Sequence, residues 1–176
     1  MSILFRASDT FMAAVRSDLM RDHHFAHERI GFITTRAAAG KENLVLLAED
    51  YYPVADEDYV RDPEVGARIG QEALRKALNL ALLNPVGIIH VHMHLLPSRR
   101  LWFSPIDLSE LRNFIPDFFK VRANMPHGAI VLSKMSAAGL VWMAPSAVQP
   151  VNEFNFIGAQ IQVIPAARDG STDYIG

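Results

Sequence analysis

The sequence predicts an α/β (α+β) fold built on a single mixed, mostly antiparallel sheet flanked by helices. Three observations point there. Short apolar runs end in a strand-like alternation, most clearly at His90-Val91-His92-Met93-His94 after Val86-Gly87-Ile88-Ile89. A longer stretch, residues 64–83, repeats apolar residues near the helical period. Neighbouring apolar runs pair off across short turns as hairpins, and helices alternate with strands along the chain.

With 176 residues, half of them hydrophobic and a fifth charged, the chain suits one domain with a real core. We place that domain at residues 1–165, followed by a polar tail at 166–176. A net charge of -2 advertises no basic face for nucleic acid or an anionic membrane, so neither is expected as a partner. No cysteine is present, which excludes disulfides, thiolate metal sites and cysteine nucleophiles. Any tightly held metal must use His, Asp or Glu. Arg6, Asp9, Arg16 and Asp18 interrupt the apolar residues of the first turn of chain, so no signal peptide is read there. No apolar run approaches the ~20 residues of a bilayer span, and a cytoplasmic protein is expected.

In order, Ser8 or Asp9 caps a first helix running to about His24, with Phe11, Met12, Val15, Leu19 and Met20 at helical spacing. A strand starts near Arg29, where Ile30, Phe32 and Thr34 alternate with Gly31 and Ile33, and Glu28 sits at its mouth. Residues 37–41 form a turn, and residues 43–48 a second strand in an antiparallel hairpin with the first. Residues 49–62 read as an acidic loop or edge strand with Tyr51 and Tyr52 inward. Asp62 caps and Pro63 begins a helix over residues 64–83, whose stripe is Val65, Ile69, Ala73, Leu74, Ala77, Leu78, Ala81 and Leu82. Asn84-Pro85 ends it, and the histidine strand follows at once. Residues 95–102 form a loop. Ser104 caps the next helix with Pro105 at its first position; Leu108, Leu111, Ile115, Phe118 and Phe119 fill its buried side, and Pro116 ends or kinks it. Residues 128–133 and 139–144 read as a hairpin, and residues 157–164 as a last strand.

Period two puts His90, His92 and His94 on one face of a strand and Val91 and Met93 on the other. Two imidazoles at i and i+2 reach one ion, and Asp107, in the first turn of the following helix, returns as an oxygen ligand. Zinc accepts that mixture and keeps a fourth position for water. A carboxylate that does not bind the metal must then take the proton from that water, and Glu28 is the candidate. Ser104 offers a hydroxyl to the oxyanion formed when water attacks a carbonyl.

His27-Glu28-Arg29-Ile30-Gly31-Phe32, a His-x-His pair and Ser104-Pro105-Ile106-Asp107 together resemble the JAMM (JAB/MPN) metalloprotease pattern. The resemblance runs over roughly residues 11–164 in order of elements and is specific at four positions. It implies a JAB/MPN-like fold with a cytidine-deaminase-like layout, and a zinc peptidase or isopeptidase most like the stand-alone prokaryotic members. Carried over, two histidines and Asp107 bind Zn2+, Glu28 is the base and Ser104 assists. The implied substrate is a protein or peptide, with the tail of a ubiquitin-like protein as the leading example, bound as an extended strand at the sheet edge.

Two departures from that pattern matter. There are three histidines where the family uses two: nine residues separate His94 from Ser104 and eleven separate His92 from it. The shorter family loop favours His92 with His94, leaving His90 as a buried neighbour, whereas Gly87-Ile88-Ile89-His90 mimics the family's Gly-x-x-His opening and favours His90 with His92. In addition, Leu95 stands where members usually have proline.

The plainer readings are these. Ser104 and Asp107 serve as a helix cap and a first-turn acid; Glu28 is a solvated charge; His23, His24 and His127 are surface or capping residues, and His27 is structural. Arg99, Arg100, Leu101 and Trp102 are a substrate rim or a loop anchored by Trp102. Two rival functions are a catalytically silent binding module of the same fold and a DNA-repair-associated protein.

Overall fold

In the computed structural model, which describes residues 1–94 and 101–165, nine strands join one mixed sheet. The elements are β1 (Ser2–Ser8), α1 (Asp9–Leu19), β2 (Ile30–Ala39), β3 (Asn43–Pro53), a 3-10 turn (Asp56–Asp58), α2 (Gln71–Leu83), β4 (Gly87–Met93), α3 (Pro105–Val121), β5 (His127–Leu132), β6 (Ala137–Ala144), β7 (Ala147–Pro150), β8 (Glu153–Ile157) and β9 (Ile161–Pro165). The sheet order is β7-β6-β5-β4-β2-β3-β1-β8-β9. β1 runs parallel to β3 and β8, and β4 parallel to β5; the other pairings are antiparallel. The expected mixed, mostly antiparallel sheet with helices is therefore what this chain forms.

The sheet has a core on each face. α1 packs Met12, Val15 and Leu19 against Ile3, Phe5, Ile89, Val91 and Met93. α2 and α3 cover the other face, where Ala73, Ala77, Ala81, Ile115 and Phe118 meet Phe32 and Ile88. β4 is buried along its whole length and divides its side chains between the two cores, as alternation requires. Among the described residues no helix is long and apolar enough to cross a membrane.

Several element boundaries differ from the expectation, each for a local reason. β1 precedes the first helix, with Ile3, Phe5 and Ala7 buried in alternation. α1 begins where Ser8 accepts the N–H of Phe11 at 3.1 Å but stops at Leu19, short of His24. The chain then turns around His23, whose Nδ1 accepts the N–H groups of Phe25 and Ala26 at 3.3 and 3.0 Å. The expected turn at residues 37–41 is tighter. Ala37, Ala38 and Ala39 remain paired with Leu46, Val45 and Leu44, and only Gly40 to Glu42 turn.

Of the two expectations for residues 49–62, acidic loop or edge strand, the first part takes the second: β3 continues to Pro53, paired there with β2 alone, since β1 pairs only with Asn43 to Leu47. Tyr51 points inward and donates to Asp18 Oδ2 at 2.6 Å; Tyr52, its neighbour on a pleated strand, faces out at 38% exposure. The helix expected from Glu64 starts only at Gln71. Residues 63–70 instead form a loop tied down by bonds from Val60 N–H to Arg68 O (2.8 Å), Gly70 N–H to Asp58 O (2.7 Å) and His27 N–H to Gly66 O (2.7 Å). Asp62 accepts the Glu64 N–H at 3.0 Å as a local turn, not as a helix cap. α3 passes through Pro116 without ending there. The single last strand resolves into the hairpin β8–β9, and β7 is an addition. The predicted tail at 166–176 and residues 95–100 of the predicted loop, with Arg99 and Arg100, lie outside the described residues.

Candidate metal centre

The register of two neighbouring strands assembles the site. β2 and β4 are antiparallel, and Ile30 pairs with His92. In such a ladder a residue two before Ile30 comes alongside a residue two after His92, so Glu28 meets His94. Their closest approach is 3.9 Å, from Glu28 Oε1 to His94 Nε2. His94 follows the last residue of β4 and stays in line because its N–H donates to Leu132 O at 2.9 Å. The Glu28 N–H donates to Gly66 O at 3.2 Å, fixing the approach from the other side.

Asp107 comes from the first turn of α3. Ser104 and Asp107 form a capping box: the Asp107 N–H donates to Ser104 Oγ at 3.1 Å, and the Ser104 N–H donates to Asp107 Oδ2 at 2.7 Å. The same Oδ2 stands 3.5 Å from His92 Nε2 and 3.7 Å from His94 Nε2. The two Nε2 atoms are 3.2 Å apart. Glu28, His92 and His94 each turn one ligand atom into a common space, all within 4.8 Å of one another, and could hold a metal ion.

The electrostatics follow from this packing. Burial alone would raise the Asp107 carboxyl, but the adjacent imidazoles of His92 and His94 and the hydrogen bond from the Ser104 N–H hold it far below the usual carboxylate range. His94 is raised by the adjacent Asp107 and Glu28 carboxylates, against the effect of its burial. His90 is pushed down to about 3 by burial and by its neighbour His92. Its ring lies between Phe32 and Phe114, at centroid distances of 5.8 and 5.4 Å. It stands beside the cluster as a neutral imidazole and not within it. Among the described residues, the buried Nδ1 of both His90 and His92 has no hydrogen-bond partner, which for an unsatisfied polar group costs about 1–3 kcal/mol. A core built only for stability would replace such groups with apolar ones.

The structure thus brings together Glu28, His92, His94 and Asp107, with Ser104 bonded to the last. Ser104 Oγ is engaged as an acceptor, which leaves its proton for another oxygen. His127, expected at the surface, is fully buried. Its Nδ1 accepts the Ile88 N–H at 3.1 Å and its Nε2 donates to Arg122 O at 3.0 Å. Trp102 packs on the α2–α3 core, the anchoring role of the plainer reading.

A second group, His23, His24 and Asp56, also has its ligand atoms within 4.8 Å of one another. It does not suit an ion. His23 Nδ1 already accepts two N–H groups, so the ring's proton sits on Nε2 and no lone pair faces the group. Asp56 is paired with the buried Arg29 at 2.7 Å.

Compared with protein-family models the chain matches none, and no curated protein matches it. The functional reading therefore rests on the site itself. β4 is enclosed by β2 and β5, and among the described residues the outermost strands of the sheet are β7 and β9.

Beside the cluster lies a cavity of about 360 Å³, bounded by the 62–69 loop, the start of β2, His90 and His92 of β4 and one side of α3, with Glu28 and Asp107 in its lining. Sequence reading missed this feature. Val65 and Ile69 carried the signal, but their spacing of four reads as helix and was assigned to one.

Proposed function

We propose that this chain is a zinc-dependent hydrolase that cleaves a peptide or isopeptide bond, with His92, His94 and Asp107 as ligands, Glu28 as general base and Ser104 as oxyanion donor. The observation that carries the reading is the triangle of His92 Nε2, His94 Nε2 and Asp107 Oδ2, whose edges are 3.2, 3.5 and 3.7 Å. Ligand atoms about 2.0–2.1 Å from zinc at tetrahedral angles stand roughly 3.3–3.4 Å apart. Three donors at that spacing, two of them imidazoles and one a carboxylate held ionised, form a zinc-type set with room for a fourth partner.

Asp107 suits the ligand role better than Glu28 does. It lies closer to both imidazoles and is clamped by the Ser104 backbone. Glu28, 3.9 Å from His94 and half-buried in the cavity lining, would be the group that works on a water. Zinc, if held by His92, His94 and Asp107, would supply a water acidified toward a pKa of ~7 and a polarised carbonyl. Glu28 takes the proton of the attacking water and returns it to the leaving amine. The Ser104 hydroxyl donates to the oxygen on which negative charge develops. The substrate is a peptide or protein.

Metal analysis after zinc loading, paired with peptide hydrolysis, tests the reading. Glu28→Gln should keep stoichiometric zinc and lose turnover by at least ~100-fold. Wild-type turnover in that variant would end the mechanism, and a chain that takes up no zinc would favour the silent binding module.

A further inference from the structure

We infer that the cavity beside the metal centre receives a bulky apolar side chain of the substrate, so that cleavage falls next to a large hydrophobic residue and not next to a glycine. The inference borrows its chemistry from the hydrolytic reading, but its binding part stands on the cavity alone.

Apolar side chains make about half of the wall, and carboxylates, imidazoles and one guanidinium make the rest. Leu111 is buried, Ile30 and Phe114 nearly so, and Ala67 and Ile69 are half-buried members of the same packed cluster. At about 360 Å³ the space is large enough for a complete side chain, being within the ordinary range of small-ligand pockets, ~300–1,000 Å³. Glycine would leave it to water lying on hydrocarbon, and a leucine or phenylalanine would remove that surface from water. Glu28, His92 and Asp107 border the same space, so a side chain seated there belongs to a residue beside the bond under attack.

The charged part of the lining adds a second selection. Among the described residues Asp62, Glu64 and Glu110 line the cavity with Arg68, whose guanidinium is held by Asp62 at 2.8 Å. That surplus of negative charge disfavours an acidic side chain. Together these features describe a substrate residue that is large, apolar and without negative charge.

The test uses zinc-loaded Glu28→Gln protein, which should bind without turnover, and two peptide series carrying Gly, Leu, Phe or Glu on the amino or the carboxyl side of the target bond. In one series Leu and Phe should bind about 10–100-fold tighter than Gly, and Glu should bind more weakly than Gly. Ala67→Phe, which fills the cavity, should erase the advantage of Leu and Phe over Gly while leaving zinc content unchanged. If Ala67→Phe does not fold, Ala67→Leu should reduce the advantage in part. Equal binding of the Gly and Phe peptides in both series, or no binding by any peptide, overturns the inference. Preferential binding in a wild-type protein that never hydrolyses these peptides would overturn the hydrolytic reading and leave the cavity assignment standing. Hydrolysis without preference would do the reverse.

Discussion

Ser104 and Asp107 bond to each other twice, and the Asp107 oxygen that accepts the Ser104 N–H at 2.7 Å is the one that stands 3.5 Å from His92 Nε2. A helix cap and a ligand position are thus the same pair of side chains. Ser104→Ala removes the oxygen that receives the Asp107 N–H. It should cost about 1 kcal/mol of folding stability as a lost cap. Because it loosens the ligand's orientation, it should also weaken zinc binding by roughly 10–100-fold. Competition against a chelator checks this, with Ser104→Thr expected to behave like wild type. Turnover lost beyond the change in metal occupancy measures the oxyanion role of the hydroxyl.

Zinc should stabilise the fold by mass action. At a free concentration of 100 times its dissociation constant, a ligand adds about 2.7 kcal/mol, which for a chain of this size raises Tm by roughly 5–11 °C. His92→Ala should abolish the shift, and His94→Ala should reduce it strongly. His90→Ala should keep it, because His90 sits between Phe32 and Phe114 and not in the ligand triangle. Thermal melts with zinc and with chelator decide the matter. Loss of the shift in His90→Ala would transfer the ligand role to the His90–His92 pair.

The histidine row was legible because period-two alternation has no cheaper reading in a strand, and Asp107 because Ser104-Pro105 is a strong helix start. Glu28 is a candidate base in the sequence for its place at the mouth of a strand, but its approach to His94 comes from the β2–β4 register, a long-range fact that no local pattern carries. β1 was missed because Leu4 stands among Ile3 and Phe5 and blurs the alternation. The 63–70 loop was misread because Val65 and Ile69 keep helical spacing. The deciding influences there are Gly66 and Gly70, poor helix formers, and the bonds that tie this loop to residues 27, 58 and 60. The burial of His127 is not legible locally because, although Arg122 is only five residues away, its other backbone partner, Ile88, is 39 residues away in sequence.

His127 should also control acid stability. Burial pushes its pKa from 6.5 down to about 4, despite the bond to Arg122 O. The unfolded chain therefore binds a proton that the folded chain refuses, and stability is full above about 6.5 and declines as pH falls from there through about 4. The whole effect is on the order of 3 kcal/mol. Denaturant unfolding of metal-free protein between about pH 7 and about pH 4 should show this loss. His127→Gln should be less stable at neutral pH but flatter toward acid, with the remaining slope coming in part from His90, which is shifted in the same direction. An unchanged slope in His127→Gln would remove His127 from the account.

Gly66 offers a way to move the base without touching it. A Cβ at this position would meet Glu28 Oε2 at 2.9 Å, and the Gly66 carbonyl accepts the N–H groups of His27 and Glu28 at 2.7 and 3.2 Å. The clash is with the end of a flexible side chain, so Gly66→Ala should change stability by no more than about 0.5 kcal/mol. The carboxylate, however, must shift, and a displacement near 1 Å at a reacting group can cost about 100-fold. The expected outcome is a normal melt, normal zinc content and a kcat reduced by roughly 10–100-fold. A bound ion is not disturbed in the same way, because Asp107, His92 and His94 approach it from β4 and α3, away from this loop. Steady-state kinetics on zinc-loaded Gly66→Ala therefore separate a Glu28 that moves protons from a Glu28 that binds metal. Loss of zinc would mark it as a ligand, and unchanged kcat would remove it from the chemistry.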